Sequence, residues 1–120
     1  MFKKILVIED EPEIVRMLKS RLEANNYAVD SASDGVDGLK HVESEKPDLI
    51  ILDIMMPGMD GYTFLKNLKH KPSGHQIPVI VLTAKSEIQD LFELEGVTDY
   101  VVKPYEPQNL LERVQKHLGH

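Results

Sequence analysis

Short apolar runs alternate along this chain with stretches whose apolar residues recur at helical spacing. The runs are rich in branched residues and lack the polar alternation of a half-exposed strand, so they are typical of strands covered on both faces of a parallel sheet. The shorter Tyr27–Asp30 stretch is interpreted as a further strand. The pattern predicts five strands, at Lys4–Ile8, Tyr27–Asp30, Leu49–Leu52, Pro78–Leu82 and Tyr100–Val102.

A helix is predicted after each strand. The first begins at Pro12, a residue favoured at the first helical position, and runs to about Ala24. The second is marked by Val36 to Val42 and ends near Lys46-Pro47, and the third runs from about Tyr62 to Leu68. The fourth has Ser86 as N-cap, continues through Glu95 and has Gly96 as C-cap. The fifth is marked by apolar residues from Leu110 to Leu118. Five strands and five helices in regular βα order predict an α/β fold, a doubly wound parallel sheet with helices on both faces.

Length, charge and cysteine content narrow the class of protein. The 120 residues fit one domain spanning residues 1–120. A net charge of −6 argues against direct binding of nucleic acid or an anionic membrane by this domain. The absence of cysteine excludes a disulfide framework and a thiolate metal site, and it fits the cytoplasm. No apolar stretch is long enough to predict a membrane span or a signal peptide.

Polar residues that could carry chemistry stand at the strand ends. Glu9 and Asp10 follow the first strand, Asp53 the third, Thr83 the fourth and Lys103 the fifth, and the carboxyl ends of parallel strands share one edge of the sheet. Three clustered carboxylates repel one another, and a hard divalent cation such as Mg²⁺ relieves that repulsion. Asp53 could then stay ionised and attack phosphorus, while Lys103 offsets phosphoryl charge and Thr83 donates a hydrogen bond.

Each of these residues also has a purely structural interpretation. Glu9 and Asp10 suit the N-terminus of the following helix, and Thr83 suits a cap or turn. Lys103 could be a solvated surface lysine, and Tyr100 a half-buried strand residue. The histidines are scattered without ligand spacing and are predicted to be surface residues, at His41, His70, His75, His117 and His120.

Four motifs in order carry a resemblance to a known family. They are V-I-E-D-E-P at Val7–Pro12, L-D-I-M-M-P-G-M-D-G at Leu52–Gly61, L-T-A-K at Leu82–Lys85 and D-Y-V-V-K-P-Y at Asp99–Tyr105. With them the chain resembles, over nearly its whole length, the receiver domain of two-component response regulators, of the kind found in chemotaxis regulators. The resemblance implies a flavodoxin-like (βα)5 fold with strand order 2-1-3-4-5.

The resemblance also implies roles for individual residues. Asp53 is the expected phosphoacceptor, assisted by Lys103, which binds the phosphoryl group, and by Thr83. Thr83 and Tyr100 are the expected switch pair, and a cis peptide is expected between Lys103 and Pro104. The expected Mg²⁺ ligands are Glu9, Asp10, Asp53 and the backbone carbonyl of Met55.

The function implied is a phosphorylation-activated switch rather than an enzyme. A sensor histidine kinase or a phosphotransfer protein would donate the phosphoryl group to Asp53, and the face made by the fourth helix, fifth strand and fifth helix would change its partner binding. The partner is a downstream protein or an attached effector domain. Asp99 and Arg113 resemble residues with which receivers dimerise, so the resemblance also allows a weak homodimer through that face.

Two departures and two rival functions remain open. The span from Thr83 to Tyr100 is slightly shorter than receivers usually have, and Met55 and Lys85 stand where side chains influence the access of water to the acyl phosphate. Met55 cannot orient water, so slow decay of the phosphorylated form is expected. The rivals are a non-phosphorylated interaction module and an aspartate-nucleophile phosphatase, although such phosphatases need a general acid where this chain has Met55.

Overall fold

The computed structural model describes residues 2–54, 61–72, 74, 76–87 and 96–119. The strands are β1 (Lys4–Ile8), β2 (Ala28–Ala32), β3 (Leu49–Asp53), β4 (Val79–Ala84) and β5 (Asp99–Lys103). The helices are α1 (Pro12–Glu23), α2 (Gly35–Glu45), α3 (Gly61–Lys69), a 3₁₀ turn (Lys85–Glu87) and a terminal helix (Pro107–Leu118). The predicted fourth helix falls mostly on residues 88–95, outside the described residues. Ser86, predicted as its N-cap, is the middle residue of the 3₁₀ turn.

The five strands form one parallel sheet in the order β2-β1-β3-β4-β5, which confirms the predicted fold class and strand order. β3 is central and buried at every position. The register pairs Ile8 of β1 with Leu52 of β3, and Asp53 of β3 with Leu82 of β4. The ends of β1, β3 and β4 therefore lie side by side at one edge.

Alternate residues of each strand enter two separate hydrophobic cores, because successive side chains of a strand point to opposite faces. On one face α1 and the terminal helix pack on Ile5, Val7, Leu49, Ile51, Ile80 and Leu82. On the other face α2 and α3 pack on Leu6, Ile8, Ile50, Leu52, Val79 and Val81. We call these the α1 face and the α3 face.

Local sequence signals account for the helix starts. Pro12 and Pro107 occupy the first turns of α1 and the terminal helix. The Asp34 side chain caps α2 by accepting a hydrogen bond of 2.8 Å from the backbone N–H of Asp37. No helix in the described part of the chain combines the length and the apolar character needed to cross a membrane.

Several predicted strand boundaries were wrong by one or two residues. β2 begins at Ala28 and continues to Ala32, and Tyr27 precedes it as a fully buried residue. β4 continues through Thr83 to Ala84, so Thr83 is a strand residue rather than a turn residue. The terminal helix begins at Pro107, three residues before Leu110. Pairing with β1 and with β5 extends the ends of β2 and β4 beyond the residues that signal them, whereas Pro107 begins the terminal helix.

Candidate functional site

Three of the predicted site residues continue the strand alternation on the α1 face. Val7, Ile51 and Val101 belong to the core of that face. Glu9, Asp53 and Lys103 each lie two positions further along the chain, and a strand returns to the same face every second residue. The alternation of β1, β3 and β5 therefore places two acids and one lysine on the same face, at the edge of the sheet where these strands end.

The predicted acidic residues do come together. Glu9, Asp10 and Asp53 each offer a carboxylate oxygen, and these oxygens lie within 4.8 Å of one another. Glu9 is 2% exposed and Asp53 is 5% exposed, whereas Asp10 is exposed. The cluster thus has a buried base and an open side, which is the arrangement of a site that exchanges a ligand with solvent.

Glu9 has an incompletely satisfied carboxylate. Its Oε2 accepts a hydrogen bond of 3.3 Å from the backbone N–H of Glu11, but its buried Oε1 has no hydrogen-bond partner among the described residues. Burial raises the pKa of Glu9 from its ordinary value of 4.5 to about 8, and the charge of Asp53 acts in the same direction. A buried oxygen of this kind calls for a cation or a donor that the protein itself does not supply.

The donor set fits a magnesium ion. All three side chains offer carboxylate oxygens, the ligands that a hard divalent cation prefers, and one of these side chains is solvent-exposed. The orphaned Oε1 of Glu9 gives an independent reason for a cation here. Met55, whose backbone carbonyl was predicted to be a further ligand, lies outside the described residues.

Lys103 is paired with the central acid. Its Nζ lies 3.1 Å from Oδ1 of Asp53, with the lysine side chain 36% exposed and the aspartate side chain 7% exposed. The Lys103-Pro104 peptide is cis, as predicted. The ammonium group therefore lies beside the carboxylate that the sequence predicts to be the nucleophile.

Thr83 and Tyr100 belong to the other face of the sheet. Val81 and Tyr100 are register partners, and both pack in the α3-face core. Thr83, two residues after Val81, returns to the same face, where it is 1% exposed and its hydroxyl donates a hydrogen bond of 3.2 Å to the carbonyl of Ala84. The two predicted switch residues are thus neighbours on adjacent strands.

Tyr105 is a site residue that the sequence pattern did not single out. Burial raises the pKa of its hydroxyl, and the charges of Glu9 and Asp53 raise it further, so the ring stands near the acids. The available signal was position, because Tyr105 follows β5 at the same edge as the acids, two residues after Lys103.

Asp99 is the centre of an ion-pair network that the sequence only partly indicated. Its carboxylate pairs with Nη1 of Arg113 and with Nε2 of His117, the latter at 2.9 Å. His117 and His41 were both predicted to be surface residues, and this was wrong. Each is partly buried against an aspartate, with His41 Nδ1 2.7 Å from Asp30 Oδ2.

This network predicts a pH-dependent contribution to stability. Burial alone raises the pKa of Asp99, but the hydrogen bonds from His117 and from the backbone N–H of Tyr100, with the charge of Arg113, bring it below its ordinary value of 3.8. A lowered folded-state pKa stabilises the fold above the unfolded value and loses that contribution as the pH falls through it. We expect Asp99→Asn to lower the free energy of unfolding at neutral pH by about 1 kcal/mol.

Urea unfolding between pH 7 and pH 3 checks the prediction, with Glu13→Gln as an exposed-carboxylate control. The deficit of Asp99→Asn relative to wild type should shrink below the ordinary pKa of 3.8, while Glu13→Gln shows little deficit at any pH. A deficit that stayed constant across this range would contradict the assignment.

Comparison with known proteins decides the family. The sequence profile described as "Response regulator receiver domain" matches residues 5–115. The chain belongs to the response regulator receiver domain family. As a receiver domain it is 45% identical, over 96% of its length, to the alkaline phosphatase synthesis transcriptional regulatory protein PhoP of Bacillus subtilis. That match covers 48% of PhoP, and the chain spans about half the length of the curated relatives it matches.

Solved receiver structures have the same fold. A putative response regulator from Chloroflexus aurantiacus superposes with a TM-score of 0.90 at 33% identity, with full coverage of both chains. The receiver domain of the sensor histidine kinase PA1611 from Pseudomonas aeruginosa superposes with a TM-score of 0.89 at 28% identity, again with full coverage of both chains. That structure has a magnesium ion coordinated in its active-site cleft.

Proposed function

We propose that this receiver domain is a phosphorylation-activated switch whose phosphoacceptor is Asp53. The observation that carries the proposal is the pairing of a nearly buried Asp53 carboxylate with Lys103 at 3.1 Å, inside a cluster of three acids. A carboxylate held ionised beside a cation can attack phosphorus, and the cation can accept the charge of the arriving group. The donor is a sensor histidine kinase or a phosphotransfer protein.

Magnesium is the proposed cofactor. Glu9, Asp10 and Asp53 would hold it together with the carbonyl of Met55, and when bound it would neutralise charge on the phosphoryl oxygens. The chain's own residues carry out the other parts of phosphoryl transfer. Asp53 presents an oxygen to phosphorus, Lys103 binds a phosphoryl oxygen, and the nearly complete burial of Asp53 limits the access of water to the acceptor.

In the proposed switch, phosphorylation of Asp53 on the α1 face moves Thr83 and Tyr100 on the α3 face. The phosphoryl group on Asp53 attracts the hydroxyl of Thr83 away from the carbonyl of Ala84. Tyr100, half-buried beside it, then moves into the space that Thr83 vacates. The negative charge of the phosphoryl group thereby shifts the population between two conformations of these residues. The proposed output face combines β5, the terminal helix and the predicted fourth helix, and it binds a downstream protein or an attached effector domain.

The remaining parts of the proposal follow from the same assignment. The 120 residues act as one non-enzymatic signalling domain in the cytoplasm, without direct contact to nucleic acid or membrane. The proposal includes a weak homodimer through the output face, where Asp99 and Arg113 pair with each other within the chain. Dimerisation through these two residues would have to exchange that pair for one between chains.

The test is chemical modification with acetyl phosphate. Incubation with and without Mg²⁺ should give a Mg²⁺-dependent mass increase of one phosphoryl group, and peptide mapping after reduction with borohydride should locate it at residue 53. An unmodified chain would favour a receiver-shaped interaction module. Steady hydrolysis of phosphomonoesters would favour the phosphatase, and we expect none.

A separate prediction concerns the metal. We expect Asp10→Asn to weaken Mg²⁺ binding at least about tenfold, because it removes one of three charged ligands. Asp10 is exposed, so the change leaves the packing of the core intact. Isothermal calorimetry measures the dissociation constant directly, without any phosphoryl transfer.

Glu11→Gln is the matched control for the metal prediction. Glu11 is the neighbouring exposed acid and lies outside the cluster of three, so its neutralisation removes the same unit of charge. If both variants weakened Mg²⁺ binding equally, general electrostatics rather than coordination by Asp10 would explain the affinity.

A further inference from the structure

A cavity lies on the α1 face beside the acidic cluster. Its volume is about 400 Å³, within the range of small-molecule sites in proteins, about 300 to 1,000 Å³. One wall is α1, which contributes Ile14 and Met17. The segment after β5 contributes Pro104 and Tyr105, and the terminal helix contributes its first residue, Pro107. These five residues make the cavity largely apolar.

The polar end of the cavity belongs to the phosphoacceptor site. The two charged residues that line it are Glu9 and Lys103. Lys103 Nζ is 3.1 Å from Asp53 Oδ1, and Glu9 and Asp53 are both members of the acidic cluster. A small molecule with a phosphoryl group at Lys103 can therefore place an apolar body of modest size against Ile14, Met17 and Tyr105.

We infer that this cavity is a binding site for the acyl group of small acyl phosphates, and that it makes a compact apolar or aromatic acyl group preferable to acetyl. The inference deepens the proposed function and rests on it, since Asp53 is the nucleophile. The occupant is a small molecule because the volume of the cavity suits one and its lining includes Lys103, whose ammonium group is paired with the nucleophile.

The reaction balances without a further reactant. An Asp53 carboxylate oxygen forms a bond to phosphorus, and the bond between phosphorus and the acyl oxygen breaks. The electron pair of that bond leaves with the carboxylate product, so no proton is transferred.

The experiment compares benzoyl phosphate with acetyl phosphate as donors to the full chain in the presence of Mg²⁺. Benzoate and acetate are leaving groups of similar basicity, so a difference in rate reports binding of the acyl group. We expect the second-order rate constant for modification of Asp53 to be about tenfold higher with benzoyl phosphate. Met17→Gln should reduce this ratio of rate constants by several-fold.

Val36→Gln is the matched control. Val36 is 47% exposed and Met17 is 43% exposed, so each change makes a similarly exposed apolar side chain polar, but Val36 does not line the cavity. We expect the ratio of rate constants to be unchanged in Val36→Gln. As a second readout, benzylphosphonate, which cannot transfer a phosphoryl group, should shift the methyl NMR signals of Ile14 and Met17.

The outcomes separate the two proposals. Modification by acetyl phosphate with an equal or slower rate for benzoyl phosphate overturns the inference and leaves the proposed function standing. An equal loss of preference in Met17→Gln and Val36→Gln also overturns it, as do unshifted methyl signals. Failure of both donors to modify Asp53 overturns the proposed function and the inference with it.

Discussion

The Asp53→Asn protein is expected to take up no phosphoryl group from acetyl phosphate under conditions that modify the wild-type chain. The carboxamide has nearly the same size and shape as the carboxylate, but it is neutral and a far weaker nucleophile. The cluster retains Glu9 and Asp10, so the variant tests the acceptor rather than the whole site. Intact-mass spectrometry measures the modified fraction, and the expected fraction is zero.

The same variant should remain folded. Asp53 lies at the end of a completely buried strand, in a cluster where its negative charge repels that of ionised Glu9 and raises the pKa of Glu9. The relief of this repulsion offsets the loss of the ion pair with Lys103, so we expect little change in thermal stability. Asp99→Asn is the control, since it makes the identical change at the start of β5, outside the cluster. Undiminished modification of Asp53→Asn, or abolished modification of Asp99→Asn, would show that the acceptor lies elsewhere.

Gly61→Ala should produce the largest loss of stability among the substitutions considered. A Cβ at this position would lie 2.5 Å from the carbonyl oxygen, 2.6 Å from the Cα and 2.8 Å from the carbonyl carbon of Ile54. All three are backbone atoms, so no change of rotamer relieves the clash. The N–H of Gly61 also donates a 3.0 Å hydrogen bond to the Ile54 carbonyl, and displacement of the chain weakens it. We expect a loss of about 3 kcal/mol in the free energy of unfolding.

Gly38→Ala is the matched control for Gly61→Ala. A Cβ at Gly38 would approach Ile8 Cδ1 at 2.7 Å and Phe64 Cε1 at 3.1 Å, which are ends of side chains that can move. Alanine also favours the helical backbone of α2 over glycine by about 1 kcal/mol, which offsets part of the crowding. Urea unfolding of both variants should give a clearly smaller loss for Gly38→Ala. Equal losses would mean that added volume, rather than the approach of the backbone at Ile54, determines the effect.

The parts of the fold that sequence predicts well are those whose burial leaves a continuous apolar run. β1, β3 and β4 are covered on both faces, so Ile5–Ile8, Leu49–Leu52 and Val79–Leu82 signal them directly. β2 is an edge strand that contains Asp30 and Ser31, and polar residues conceal its true end at Ala32. Thr83 belongs to β4 because it pairs with Val102, a constraint that no local pattern carries.

The acidic cluster was predictable for a different reason. In a parallel sheet topology alone brings strand ends together, so Glu9, Asp10 and Asp53 could be grouped without knowledge of side-chain packing. His117, by contrast, approaches Asp99 only because the terminal helix packs beside the start of β5. The position of Tyr105 relative to the acids depends in the same way on the turn after β5. Contacts between a helix and a strand end are set by three-dimensional packing, and the linear pattern does not encode them.

The Asp53–Lys103 pair and the Asp99 network lie at different places in the sheet, and this affects how the molecule moves. Asp53 ends the central strand, whose residues are fully enclosed, whereas Asp99 begins an edge strand that is only partly covered. Edge strands separate from a domain in local fluctuations that require far less free energy than opening its centre. The proposed acceptor is thereby fixed to the strand that is buried at every position, and the segment that carries Tyr100 can shift its position while the framework around the acids stays intact.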